Sequence, residues 1–140
     1  MINHRMLVID DEQDILDDIQ RFASKRGFFV ETANNSKDGL EKLLTDEFDV
    51  ALIDLSMEKP NSGAEIIHEA AQKGINGSLI VMTGHGDHPE IIKQALNDGV
   101  MWWFDKPLDL EIVTKKAKEL SYLIQPEKIE EFLSILSHKD

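Results

Sequence analysis

The chain has 140 residues, enough for one domain with a real hydrophobic core. A formal net charge of −12 argues against a nucleic-acid surface, because phosphate contact needs a basic stripe. Without cysteine it has neither a disulfide framework nor a thiolate metal site, which suits a reducing compartment.

Met-Ile-Asn-His-Arg leads straight into an apolar run at 6–9, so no signal peptide is expected. That run reads as a strand and ends abruptly in Asp10, Asp11 and Glu12, three neighbouring acids that repel one another. Ile15, Ile19 and Phe22 then recur at helical spacing, and Gly27 suits a helix end in the left-handed region. A second strand is predicted at 28–30. Ser36 stands as the N-cap of a helix carrying Leu40, Leu43 and Leu44. The third strand, 50–53 in "DVALIDLS", ends in Asp54. Ile66, Ile67, Ala70 and Ala71 mark the next helix, which stops at Gly74. The fourth strand, 79–82 in "LIVMTGHG", ends in Thr83, and Ile91, Ala95 and Leu96 mark a helix before Gly99. The fifth, 101–104 in "MWWFDKP", runs into Lys106 and Pro107. Asp109 caps a last body helix with Leu110, Val113, Ala117, Leu120 and Ile124. None of these runs approaches the ~20 apolar residues needed to span a bilayer, so a soluble, cytoplasmic protein without a membrane partner is expected.

Strands alternating with helices, and apolar throughout, predict a parallel sheet covered on both faces. The expected fold is a doubly wound, five-stranded α/β sandwich of flavodoxin-like type, strand order 2-1-3-4-5. In such sheets ligands bind beyond the carboxyl ends of the strands, where the strand order reverses. Asp10, Asp11, Asp54, Thr83 and Lys106 all fall at those ends. Convergent carboxylates repel strongly unless positive charge sits among them. A hard divalent ion fits, and Mg²⁺ binds through a few carboxylates while keeping positions for water and phosphate oxygens.

Together, "DDE", "DLSM", "TGHGD" and "KP" at these spacings resemble a response-regulator receiver domain, over about residues 5–124. The wording "TGHGD" and "DKPLDLE" is most similar to receivers of the nitrogen-regulation type. The resemblance implies a phosphoacceptor in a two-component phosphorelay rather than an enzyme acting on other molecules. Asp54 would take a phosphoryl group from a sensor histidine kinase or a histidine phosphotransfer protein. Asp10, Asp11, Asp54 and the backbone carbonyl of Ser56 would hold Mg²⁺. Thr83 would bond one phosphoryl oxygen and Lys106 would pair with another, while the domain catalyses only its own phosphorylation and slow autodephosphorylation. Family receivers carry a cis bond at the position of Pro107. Ser56 and His85 would line the path of water to the aspartyl phosphate.

Two positions depart from the family pattern. Receivers usually have proline four residues after the acceptor, where this chain has Glu58; Pro60 and Gly63 suggest a loop one residue longer. Three residues before the lysine they carry Tyr or Phe, which turns inward as the threonine moves; here Trp103 occupies that switch position. Trp102 and Trp103 also suit edge-strand packing against the fourth and fifth helices. His85 and His88 lack a second ligand at metal spacing, and His4, His68 and His138 read as surface residues.

Three other readings compete. A flavodoxin-like cofactor binder needs a Ser/Thr/Gly-rich cradle after the first strand, and this loop is acidic. A Mg²⁺-dependent aspartate phosphohydrolase places its nucleophile on the first strand in a D-x-D pattern, whereas "DDE" is contiguous. The third alternative is a receiver fragment of a longer regulator or hybrid kinase.

Residues 1–124 thus form the receiver and 125–140 a C-terminal helical extension. In "QPEKIEEFLSILSHKD", Ile129, Phe132, Leu133 and Leu136 make one apolar stripe, with Pro126 in the first turn. A short helix is marginal alone, so the stripe packs on its own domain, a partner or a second copy. The face of helix four, strand five and helix five is the other surface for a downstream protein or self-association. Deleting residues 126–140 is expected to leave Asp54 phosphorylation intact and to weaken assembly, read by light scattering and pull-down with and without beryllofluoride. Unchanged assembly with lost thermal stability would make the stripe part of the domain's own packing.

Overall fold

The computed structural model describes residues 4–75, 77–84, 86–122 and 126–137. Five strands, β1 (His4–Ile9), β2 (Phe28–Ala33), β3 (Val50–Asp54), β4 (Ser78–Thr83) and β5 (Trp102–Asp105), alternate with helices. The helices are α1 (Gln13–Ser24), α2 (Ser36–Thr45), α3 (Ser62–Lys73), α4 (Pro89–Asn97) and α5 (Leu110–Ser121), followed by α6 (Pro126–Ser137). All strand pairings are parallel, and the sheet order is β2-β1-β3-β4-β5, as the alternating pattern implies.

Side chains alternate across a strand, so each central strand feeds two cores. Leu7, Ile9, Ala51, Ile53, Leu79 and Val81 pack with Leu43, Ile67, Ala70 and Ala95 on one face. Met6, Val8, Val50, Leu52, Ile80 and Met82 pack with Leu16, Ile19, Val113 and Ala117 on the other. That double burial explains why β1, β3 and β4 are apolar without interruption. β5 differs: among the described residues it pairs only with β4, and its residues are exposed or half-buried.

Local chemistry ends the helices. Gly27, Gly74 and Gly99 have φ of 90°, 75° and 101°, the left-handed region expected at these breaks. Asp109 caps α5 by accepting from the backbone N–H groups of Glu111 and Ile112. The cap of α2 is Asn35, not Ser36: the Asn35 side chain accepts from Asp38 N at 2.8 Å. Both residue types cap well, so composition alone does not choose between neighbours. His4 is also not a surface residue. It is buried between the Phe28 and Tyr122 rings, with Nδ1 2.7 Å from Ser121 Oγ. Ile124 and His138 lie outside the described residues. On α6, Leu133 and Leu136 of the apolar stripe are exposed, as is Ile135.

The β3–α3 loop closes through Gly63, the second residue of α3. Its N–H donates to the Leu55 carbonyl at 2.9 Å. A Cβ there would lie 1.9 Å from the Asp54 carbonyl oxygen and 2.7 Å from Leu55 Cα, backbone atoms that cannot swing aside. Gly63→Ala should therefore cost roughly 2–3 kcal/mol of stability through overpacking. Chemical denaturation measures it, and an unchanged midpoint would contradict so close an approach.

Candidate functional site

The strand order reverses between β1 and β3, which places Asp10 and Asp54 at the ends of adjacent strands. Lys106, just past β5, reaches across β4 to both. Its Nζ donates to Asp10 Oδ2 at 2.7 Å and to Asp54 Oδ2 at 3.2 Å, and lies 3.6 Å from Glu12 Oε1. Asp10 is 0% exposed, Asp54 is 3% exposed, and the lysine side chain is 15% exposed. Each carboxylate has a further donor: Glu12 N reaches Asp10 Oδ1 at 2.8 Å, and Ser56 N reaches Asp54 Oδ1 at 3.2 Å. Among these acids the positive charge is supplied by an ammonium carried on the chain itself.

Burial, and then the charge of Asp10, push the Asp54 carboxyl from 3.8 up to about 7, against the opposing pull of Lys106 and the Ser56 N–H. Burial works against the Lys106 ammonium. The Asp10 hydrogen bond and the charges of Asp54 and Asp10 together outweigh it, holding the lysine above its ordinary value. Asp54 is thus an acid that gains from any added positive charge or hydrogen-bond donor.

The acidic group on the β1–α1 side brings two of the expected ligands, Asp10 and Asp11, together with Glu12. Oxygens of Asp10, Asp11 and Glu12 lie within 4.8 Å of one another, while Asp54 stands across Lys106 from Asp10. Glu12 completes the contiguous "DDE" that marks this strand end in the sequence. An all-carboxylate donor set suits Mg²⁺ rather than a softer metal.

Two loops wall the site. A cleft of about 450 Å³ is lined by Glu12, Asp54, Ser56, Asp87, His88 and Lys106 among others. The Ser56 hydroxyl is shared between the Asp87 carboxylate and the Pro60 carbonyl, and Asp87 Oδ2 accepts from Gly84 N at 2.8 Å. Asp87 therefore joins the β3–α3 and β4–α4 loops beside Asp54, a contact with no local sequence signal. Glu58 accepts from Ser36 N at 2.8 Å and from Ser36 Oγ at 2.7 Å, which ties the β3–α3 loop to the start of α2. The Ser36 hydroxyl bond is the main cause of its lowered carboxyl pKa.

The remaining candidates are distributed unevenly. The Thr83 hydroxyl donates to Asp105 Oδ1 at 2.7 Å, with the Phe104 carbonyl at 3.4 Å. Trp103 is 46% exposed and stacks on Trp102, centroids 5.9 Å apart, with Lys116 Nζ over the Trp102 ring. The Lys106–Pro107 bond is cis. His85 lies outside the described residues.

Comparison with known proteins fits this geometry. The family model for the response regulator receiver domain matches residues 6–118. The transcriptional regulatory protein DltR of Streptococcus agalactiae is 33% identical over 107 residues, covering 76% of this chain and 47% of that protein. The chain spans about half the length of the curated relatives it matches. A CheY-like response regulator receiver domain protein from Methanospirillum hungatei superposes with a TM-score of 0.79 at 27% identity, over 92% of this chain and 98% of that one. A response regulator receiver domain protein from Clostridium thermocellum gives 0.75 at 29% identity, over 84% and 94%.

A carboxyl whose folded pKa lies above its unfolded value binds an extra proton in the fold, so stability falls as pH rises through that window. Without divalent cations, stability should decline as pH rises from the ordinary 3.8 of Asp54 to about 7 and then level off. Asp54→Asn should flatten the decline, measured as urea midpoints in chelator across that range. Equal slopes in the two proteins would place the titration elsewhere.

Proposed function

The chain belongs to the response regulator receiver domain family, and from that premise we propose that Asp54 is its phosphoacceptor. The observation that carries this reading is the Lys106 ammonium bridging buried Asp10 and Asp54 at the point where the strand order reverses. An Asp54 carboxylate oxygen attacks phosphorus on a phosphohistidine of a sensor histidine kinase or phosphotransfer protein. The P–O bond forms, the P–N bond breaks, and the imidazole leaves with the electron pair. Such a transfer needs positioning and charge neutralisation more than covalent help. Lys106, already at Asp54 Oδ2, is in place to pair with a phosphoryl oxygen. Thr83 supplies its hydroxyl to a second oxygen, once released from Asp105.

Asp10 and Asp11, with Asp54 and the Ser56 backbone carbonyl, are the residues that would hold Mg²⁺, and Glu12 is close enough to join through water. When bound, the ion offsets the charge gathered on carboxylates and phosphoryl oxygens. Ser56, tied to Asp87 in the cleft, shapes the approach of water and hence the slow autodephosphorylation. The product is a signal read by another protein, through α4, β5 and α5 or through the extension at 125–140 beyond the 1–124 receiver. The exposed Trp102 and Trp103 support the first surface, and exposed Leu133 and Leu136 the second. Among the described residues no helix is long and apolar enough to cross a membrane, and a cytoplasmic site of action completes the proposal.

Acetyl phosphate with Mg²⁺ should add one phosphoryl group to the wild type and none to Asp54→Asn, read by intact-mass spectrometry. A full adduct on the variant would move the acceptor elsewhere. Continuous release of phosphate without an adduct would favour a phosphohydrolase.

A further inference from the structure

We propose that Asp105 is a positioning residue that holds the Thr83 hydroxyl in the resting state and must release it when Asp54 carries a phosphoryl group. The inference rests on the receiver reading above and assigns a role to a residue outside its chemistry. Thr83 and Asp105 are register partners on adjacent parallel strands, so their side chains leave the sheet on the same face. Thr83 is buried, and its Oγ1 donates to Asp105 Oδ1 at 2.7 Å.

A hydroxyl has one proton to give. While Asp105 accepts it, the proton is not available to an oxygen on Asp54. Thr83 is β-branched and stiff at χ1, so its hydroxyl changes partner by a rotamer jump rather than by drift. The bond to be broken ends on a carboxylate, which makes it stronger than one to a neutral acceptor. The Phe104 carbonyl, at 3.4 Å, is the weaker neighbouring acceptor.

The placement of Asp105 gives the contact its consequence. Consecutive strand residues point to opposite faces. Asp105 therefore engages Thr83 while the next residue, Lys106, engages Asp10 and Asp54. One dipeptide at the end of β5 occupies two of the groups that a phosphoryl oxygen would claim. An interaction present only in the resting state lowers the apparent affinity for any ligand that selects the other state.

Beryllofluoride with Mg²⁺ is the probe, and Trp102 and Trp103 in β5 provide the fluorescence. Asp105→Ala should tighten apparent beryllofluoride binding on the order of tenfold, the scale of one hydrogen bond to a charged group. Asp105→Asn keeps an acceptor without the charge and should fall between Ala and wild type; being nearly isosteric, it preserves the test if Ala unfolds. In a Thr83→Ala background, Asp105→Ala should change nothing further, because the coupling runs through the hydroxyl. Wild-type binding with unchanged affinity in both Asp105 variants would overturn the latch alone. An equal gain with and without Thr83 would overturn it too, by showing a general effect of charge. Wild type that fails to bind, or Asp54→Asn that still binds, would overturn the receiver reading and the latch with it.

Discussion

A single ammonium group organises this molecule's functional end. Lys106 bonds two carboxylates that are almost wholly out of solvent, one from β1 and one from β3. Charges of one sign cannot be gathered there without a counter-charge, and removing one partner of a buried pair leaves the other uncompensated. The same contact has a mechanical side. β5 is an exposed edge strand that, among the described residues, pairs with β4 alone, and the lysine that follows it ties this edge back to the ends of β1 and β3. Asp54, the acidic cluster and the outer strand are thus coupled through one side chain.

The rest of the fold holds that arrangement still. Two cores grip the three central strands from both faces, so the strand ends are fixed relative to one another. The loops beyond the strand ends add polar fastenings to the apolar anchor that Leu55 makes in the core. Asp87 fastens one loop to Ser56, and Glu58 fastens the other to the start of α2. In the receiver pattern that the sequence resembles, proline stands at the position of Glu58. A pyrrolidine stiffens a turn by restricting its own backbone. Glu58 instead restrains the loop by satisfying the N–H of Ser36, where a carboxylate also suits the helix dipole. The β3–α3 loop is therefore anchored from its side rather than stiffened from within.

β5 is where the resting site and the outer surface meet. Its end contributes the carboxylate that engages Thr83, and its start contributes two stacked, exposed indoles. Thr83 pairs in register with the strand that carries these indoles. Trp103, at the switch position of the receiver pattern, faces solvent and stacks on Trp102.

The sheet order and the identity of the strand-end groups were legible in the residues. Continuous apolar runs in 50–53 and 79–82 report burial on both faces, and helical spacing between runs forces parallel crossovers. Those patterns are local and periodic, so they survive in one dimension. Asp10 and Asp54 were recognisable for the same reason, since each follows directly on such a run, and Lys106 stands two residues past the run at 101–104. The edge character of β5 was less legible, because indoles suit either a buried or an exposed strand. Tertiary structure alone decided which groups are partnered. Glu58 meets Ser36 across 22 positions, Ser56 meets Asp87 across 31, and Lys106 meets Asp10 across 96. Thr83 meets Asp105 only because β4 and β5 pair in that register. A hydrogen bond depends on direction and on a few tenths of an ångström, and neither is encoded in residue type or spacing.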